Sequence, residues 1–416
     1  MRKLVGAAIF GQSGGPTSVI NASAAGVINE AFKHSEITEV YGAAYGIKGI
    51  LNEDFYDISK EDPYELELLK TTPSSSFGSC RYKLKDCDID DTDYKTLLEV
   101  FKKYNIRYFF YNGGNDSMDT CNKVSKYMQK VGYECRVIGI PKTIDNDLNG
   151  TDHCPGYGSA AKYIATSIME VFHDSRVYDN KMITVFEIMG RNAGWLTAAS
   201  ALAAHMGSGP DLIYLPEITF DLDKFYEDVM KKYNESHKVL IAVSEGIKDK
   251  DGRYISEYGS DLCKNKDAFG HAQLGGLAAT LAAALKERTN AKVRGIEFSL
   301  LQRCAAHIAS QTDIDEAFIA GQTAVLSAVE EGATDMMVSM KRTEGPEYKC
   351  DFKLVKLSEA ANAEKSIPRE WINEEGNFLN EKFIDYALPL INGESKVVFE
   401  NGLPRFAKLK KVQVNK

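Results

Sequence analysis

The feature that most restricts how this chain can fold is its alternation. A short apolar run, a Gly-rich or polar turn and an amphipathic stretch recur from the start to about residue 340. That rhythm predicts βαβ units on a parallel sheet, because strands buried on both faces read as continuous apolar runs between helices. The first strand is expected at 4–10, with the turn 11–16 leading into a helix through about Lys33. Further strands are expected at 107–111, 135–140, 182–188, 212–215, 238–243 and 291–298. Helices are expected between and after them at 118–131, 159–174, 193–206, 225–233, 275–286 and 314–329. So many strands fit two sheets better than one. The expected class is α/β: two similar Rossmann-like three-layer α/β/α domains with mostly parallel sheets, plus a C-terminal appendage. Residues 1–152, completed by about 302–345, form the first expected domain and 153–301 the second. Their boundary falls in the Gly-, Pro- and Asp-rich stretch 150–158, and 346–416, polar and weakly periodic, is expected to pack across the core as an extension.

Composition removes several function classes. With 416 residues, 44% of them hydrophobic, the chain can fill two ordinary cores. A net charge of -9 with Lys and Arg scattered along the chain argues against a nucleic-acid partner. No apolar stretch approaches the roughly 20 residues of a membrane helix. The opening MRKLVGAAIFGQSGG has its apolar run cut by glycines, unlike a signal peptide, and the eight cysteines show neither CxxC pairs nor zinc spacing. Reduced thiols and a cytoplasmic location are therefore expected.

In open α/β sheets ligands bind beyond the carboxyl ends of the strands, so the loops there carry the chemistry. GQSGGPTSVINAS at 11–23 is a candidate phosphate cradle, or else a tight structural turn. GGNDSMDT at 113–120 sets Asn115, Asp116 and Asp119 beside Gly114 and Ser117, which suits a metal with a diphosphate, although a capped helix start reads the same way. PKTIDNDLNGTD at 141–152 crowds Asp145, Asp147 and Asp152 next to Lys142, so one carboxylate can hold metal while another takes a proton; an Asx-rich turn is the alternative. Arg191 in EIMGRNAGW, Glu245 in SEG, and Arg294 and Arg303 flanking IEFSLL add charged groups at strand ends.

In order and spacing, from Gly11 to about Met340, these elements resemble the phosphofructokinase family. The phosphate loop, the GGDGS-type element at 113–117, TIDND at 143–147, MGR at 189–191, SEG at 244–246 and QR at 302–303 match its motifs, and GSCR at 78–81 is similar to the family's GSAR. Asp116 and Lys142 stand where ATP-using members carry Gly, which resembles the pyrophosphate-dependent branch. The stretch IPREWINEEGNFLNEKFIDYALPLINGE is similar to that branch's C-terminal region.

The resemblance implies phosphoryl transfer between pyrophosphate and the C1 hydroxyl of fructose 6-phosphate, with Mg2+ as cofactor. It implies catalytic roles for Asp145 (general base), Lys142, Asp116 and Arg191. Pyrophosphate would be held by Gly11, Gly14, Gly15, Arg81, Gly114 and Ser117. The sugar phosphate would meet Thr143, Asp145, Met189, Gly190, Arg191, Glu245, Arg294, Leu300 and Arg303, and the metal Asn115, Asp116 and Asp147. A homodimer or homotetramer with sites shared between subunits is implied too, Arg294 being lent by a neighbour. Asn115 stands where many relatives have Asp, Leu300 where they often have His or Tyr, and Lys181 with Met182 where bacterial relatives send an Arg across the interface. The weighed alternatives are an ATP-dependent enzyme, a non-catalytic regulatory subunit, and a wider acceptor range including sedoheptulose 7-phosphate.

Overall fold

The computed structural model describes residues 4–258, 276–345, 347–361 and 364–414. Apart from a two-residue antiparallel pair in the tail, Phe399–Glu400 with Leu403–Pro404, the strands are β1 (Gly6–Gln12), β2 (Ile37–Ala43), β3 (Phe55–Asp57), β4 (Ile106–Gly113), β5 (Arg136–Pro141), β6 (Met182–Ile188), β7 (Leu212–Tyr214), β8 (Lys238–Ser244), β9 (Lys292–Glu297), β10 (Met336–Arg342) and β11 (Cys350–Lys356). They build a seven-stranded sheet in the order β11-β10-β5-β4-β1-β2-β3 and a four-stranded sheet in the order β7-β8-β6-β9. Every pairing is parallel except those of the edge strands β3 and β11. The class is therefore α/β with two domains and mostly parallel sheets. The strand β4, IRYFFYNG, is buried along almost its whole length, as a central strand covered on both faces must be.

Strand order fixes where a ligand can enter. From β1 the chain passes through helix Ile20–Ala31 to β2 on one side, and from β4 through helix Asn115–Lys130 to β5 on the other. Loops leaving neighbouring strands in opposite directions open a crevice between β1 and β4. In the smaller sheet the central strand β6 lies between β8 and β9, and the loops after β6 and β8 open toward the same cavity. The 193–206 stretch is two short helices, Trp195–Ala198 and Ser200–His205, rather than one. The strand β2, the edge strand β3 and helix Thr92–Lys103 have no counterpart among the sequence expectations.

Helix Tyr157–Ser175 has no side-chain cap of its own. Its first turn is held by Asp313, whose carboxylate accepts from Gly156 N–H and Ser159 N–H, both at 2.8 Å. Residues 350–356, expected in the extension, form the antiparallel edge strand β11 of the larger sheet. Farther on, Trp371, Phe383 and Tyr386 pack around Trp195. The tail then runs back to the opposite edge, where Asp57 N–H donates to Val412 C=O at 2.9 Å and Val414 N–H to Phe55 C=O at 3.0 Å. The tail after Asn401 thus covers the free edge of β3, which would otherwise offer unpaired backbone groups.

Candidate active site

The loops at the carboxyl ends of the two sheets enclose a cavity of about 660 Å3. Two glycines matter at its floor. Gly14 has φ +76, a left-handed conformation that favours Gly, and a Cβ on Gly15 would come within 3.2 Å of the Arg303 guanidinium. Ser13 bridges Cys80, and Gly14 C=O accepts from Ser79 Oγ at 2.7 Å, which brings Arg81 to the same wall. The helix N-terminus that borders the cavity is that of Asn115–Lys130, through Gly114, Asn115, Asp116 and Ser117. Helix Ile20–Ala31 starts several residues beyond its glycines, so the dipole expected behind the first loop acts from behind the second.

The loop after β5 carries Lys142, Thr143, Asp145 and Asp147 into the cavity. Asn146 between the two aspartates has φ 54, a conformation that Asn tolerates better than most side chains. It is locked there from both ends: its Nδ2 donates to Tyr386 OH at 2.8 Å and its Oδ1 accepts from Cys154 N–H at 2.9 Å. This turn lets Asp145 and Asp147, two residues apart, both line the cavity.

The electrostatics of this loop are unsettled in a useful way. Asp145 opens onto the cavity but is otherwise walled in, and burial together with nearby Glu245 raises its pKa to about 6 against the pull of Lys142, Arg191 and Arg303. Burial and Asp145 raise Asp147 to about 7. Lys142 is 2% exposed and donates from Nζ to Gly15 C=O at 2.6 Å; burial lowers its pKa to about 8 despite Asp145 and Asp147. Burial and Arg81 hold the Arg303 guanidinium below its ordinary value. Cations crowded against one another and carboxylates pushed toward neutrality suit an anionic ligand that would relieve the positive charge.

A divalent cation fits one end of the cavity. Asn115 Oδ1 is buried and accepts no hydrogen bond among the described residues, while its Nδ2 donates to Asp147 Oδ2 at 3.2 Å. With Asp116 on the same wall, these are hard oxygen donors of the kind that hold Mg2+ alongside phosphate oxygens. Lys83 Nζ, 3.9 Å from Asp116 Oδ1, is too exposed to tie that carboxylate down.

The phosphofructokinase family profile matches residues 7–307. The chain belongs to the phosphofructokinase family. It is 45% identical over 413 residues to pyrophosphate--fructose 6-phosphate 1-phosphotransferase of Halomonas elongata, covering 98% of this chain and 97% of the relative. The protein of that name from Methylococcus capsulatus is 43% identical over the same shares of both chains. Among solved structures, pyrophosphate-dependent phosphofructokinase from Marinobacter aquaeolei is similar with a TM-score of 0.89 at 40% identity, covering 99% of this chain and 98% of that one. Phosphofructokinases generally need a divalent metal.

Most of the phosphofructokinase motif residues meet in the cavity: Gly14, Gly15, Arg81, Gly114, Asn115, Asp116, Ser117, Lys142, Thr143, Asp145, Asp147, Met189, Arg191, Glu245 and Arg303 line it. Gly190 lies just behind, its N–H donating to Glu245 Oε1 at 3.3 Å. Three expected residues are not brought in. Gly11 is inside β1, where a Cβ would be 2.8 Å from the Tyr111 ring. Arg294, in β9, reaches Asp174 at 3.7 Å, and Leu300 is 55% exposed outside the cavity. Lys181 lies at the end of β6 away from Arg191, with Nζ 5.7 Å from the Tyr233 ring. Asn192 and Glu364 line the cavity without having been expected. Asn192 follows the MGR motif directly, whereas Glu364, in the extension, carries no local signal.

Proposed function

We propose that this phosphofructokinase transfers a phosphoryl group from pyrophosphate to the C1 hydroxyl of fructose 6-phosphate, giving fructose 1,6-bisphosphate and phosphate. The observation that carries the reading is the presence of Lys142 and Asp116 in one cavity with Asp145. An ammonium bonded to the glycine loop adds charge for a donor lacking nucleoside contacts, and the Asp116 carboxylate opposes a third phosphate.

Asp145 is the general base. A carboxyl near pH 6 is mostly ionised at neutral pH yet basic enough to accept the hydroxyl proton as the C1 oxygen attacks the terminal phosphorus in line. Arg81, Lys142, Arg191 and Arg303 balance charge on the phosphoryl group in transit, and Gly14, Gly15, Gly114 and Ser117 shape the donor end. Thr143, Met189, Gly190 and Glu245 orient the sugar. Asn115, Asp116 and Asp147 would hold Mg2+, which supplies charge neutralisation on the phosphate oxygens when bound. Because pyrophosphate and a sugar phosphate ester have similar transfer potentials, the reaction runs in both directions.

The same proposal assigns 1–152 with 302–345 to the donor-binding domain and 153–301 to the sugar-binding one. It places the enzyme in the cytoplasm as a homo-oligomer in which a neighbouring subunit lends Arg294. Among the described residues no helix is long and apolar enough to cross a membrane.

The test is phosphorylation of fructose 6-phosphate with magnesium and either pyrophosphate or ATP. Turnover with pyrophosphate and none with ATP is expected. Turnover with ATP alone would sink the donor assignment, and silence with both would return the chain to the class of non-catalytic sugar-phosphate binders.

A further inference from the structure

The two loops that carry the chemistry belong to different sheets, and a third segment is fastened to both. Residues 364–367 of the extension run between them. Toward the base loop, Glu364 bridges Leu148, Lys365 N–H donates to Asp147 C=O at 2.7 Å, and Lys365 Nζ donates to Thr151 C=O at 3.2 Å and Asp152 C=O at 2.5 Å. Tyr386 adds a second hold, accepting from Asn146 and donating to Asp152 C=O at 2.9 Å. Toward the arginine loop, Glu364 Oε1 accepts from Asn192 Nδ2 at 3.0 Å and Lys365 C=O accepts from Trp195 Nε1 at 2.8 Å. Ile367 N–H and Gly194 N–H meet on Glu217 Oε1, at 3.1 and 2.9 Å.

We infer that the C-terminal extension is a brace that sets the position of Arg191 relative to Asp145, and that Glu364, acting through Asn192, is its positioning residue at the cavity. The inference rests on the phosphoryl-transfer reading, in which the base and the guanidinium act on one reacting group. Side chains from two separate sheets have no covalent reason to stay in register over a transferring phosphoryl group. A displacement of about 1 Å can cost on the order of 100-fold in rate. Glu364 is the one side chain of this segment that lines the cavity, and its bond to Asn192 ties the residue beside Arg191 to backbone already paired beside Asp147.

The test compares Glu364→Ala, Glu364→Gln, Asn192→Ala and the double variant Asn192→Ala/Glu364→Ala in the full chain, assayed with pyrophosphate, fructose 6-phosphate and magnesium. Glu364→Ala is expected to lower kcat about 10- to 100-fold with both KM values and the thermal midpoint held. Glu364→Gln keeps an acceptor oxygen for Asn192 and should recover most of the rate. Asn192→Ala should match Glu364→Ala, and the double variant should be no worse than either. The chain's two tryptophans, Trp195 and Trp371, lie on this seam with ring centroids 5.9 Å apart, so their fluorescence reports whether the brace is seated. An unchanged kcat in Glu364→Ala overturns the inference, as do additive losses or a loss that tracks a fall in thermal midpoint. If Glu364→Ala does not fold, Glu364→Gln set against Asn192→Ala, at the exposed lip, carries the same comparison. A wild-type chain silent with pyrophosphate overturns the functional reading first and this inference with it.

Discussion

Two buried clusters of charge sit a few residues apart on one loop, and they are built to opposite ends. At 142–147, Lys142, Asp145 and Asp147 face a cavity with their charges poorly matched: burial raises both carboxyls toward neutrality and lowers the lysine. At 152–153 the chain closes a network instead. His153 Nδ1 meets Asp152 Oδ1 at 2.8 Å and Nε2 meets Glu316 Oε2 at 2.6 Å. Tyr348 OH donates to the other Glu316 oxygen at 2.6 Å, and Arg342 reaches Asp152 at 3.3 Å. Burial pushes the His153 pKa down, but the two carboxylates outweigh it and raise it to about 8; Asp152, despite burial, is held below its usual range by contact with His153. One cluster leaves its charges poorly matched beside a cavity; the other pairs its charges within the fold. The lesson is that buried charge in itself says little about function, whereas buried charge left unmatched beside a cavity says a good deal.

Asp145→Asn should lower kcat by roughly 100- to 10,000-fold while the thermal midpoint holds or rises, because the fold loses a carboxylate that burial opposes. A clear drop in the midpoint would put Asp145 in the structural class with its neighbour. His153→Leu should do the reverse. It removes the cation that Asp152 and Glu316 share, leaving them Arg342 and the Tyr348 hydroxyl, and should cost about 3 kcal/mol, the low end for a broken buried ion pair, with kcat of the folded enzyme unchanged. Denaturant titration beside steady-state kinetics separates the two losses.

The pH response sharpens the same contrast. An imidazole that titrates at 6.5 when free and about 8 in the fold binds its proton more tightly in the native state. Its contribution is therefore fully present below pH 6.5 and is lost as pH rises through about 8, a change of about 2 kcal/mol. Unfolding free energies measured across that window should fall in the wild type, and the fall should be smaller by about 2 kcal/mol in the His153→Leu chain, where the remainder comes from Asp147, whose raised pKa of about 7 also favours the protonated native state at the low end of the window. The smallest expected effect lies outside both clusters. Asp221 caps helix Leu222–Ser236 by accepting from Asp223 N–H and Lys224 N–H, so Asp221→Ala should cost about 1 kcal/mol without altering rate or pH slope. A loss as large as that of His153→Leu would mean that a single exposed cap matters to this fold as much as its buried charge network does.

How much was legible in the sequence follows the range of the forces involved. The strand at 182–188 and the helix at 314–329, which is Gln311–Val329 in the fold, could be read because apolar periodicity is a local property. Phosphate-loop glycines, TIDND, MGR and SEG could be read because each is a few consecutive residues at one strand end. Strand β3 has only three residues and no usable period, and it is a strand because β2 and the tail at 412–414 pair with its edges. Likewise 193–206 looked like one helix from composition, yet it breaks at Ala199 in the packed structure.

Sequence by itself determined the class of fold, the family and most of the charged groups that line the cavity, Glu364 excepted, since these depend on patterns within short windows. Only the tertiary structure decided which of those groups are matched and which are left poised. It alone joined Asn146 to Tyr386 and Asn192 to Glu364, pairs 240 and 172 residues apart in the chain. Such contacts have no local signature, because a hydrogen bond between distant segments is specified by the packing that delivers both partners rather than by either partner's neighbours.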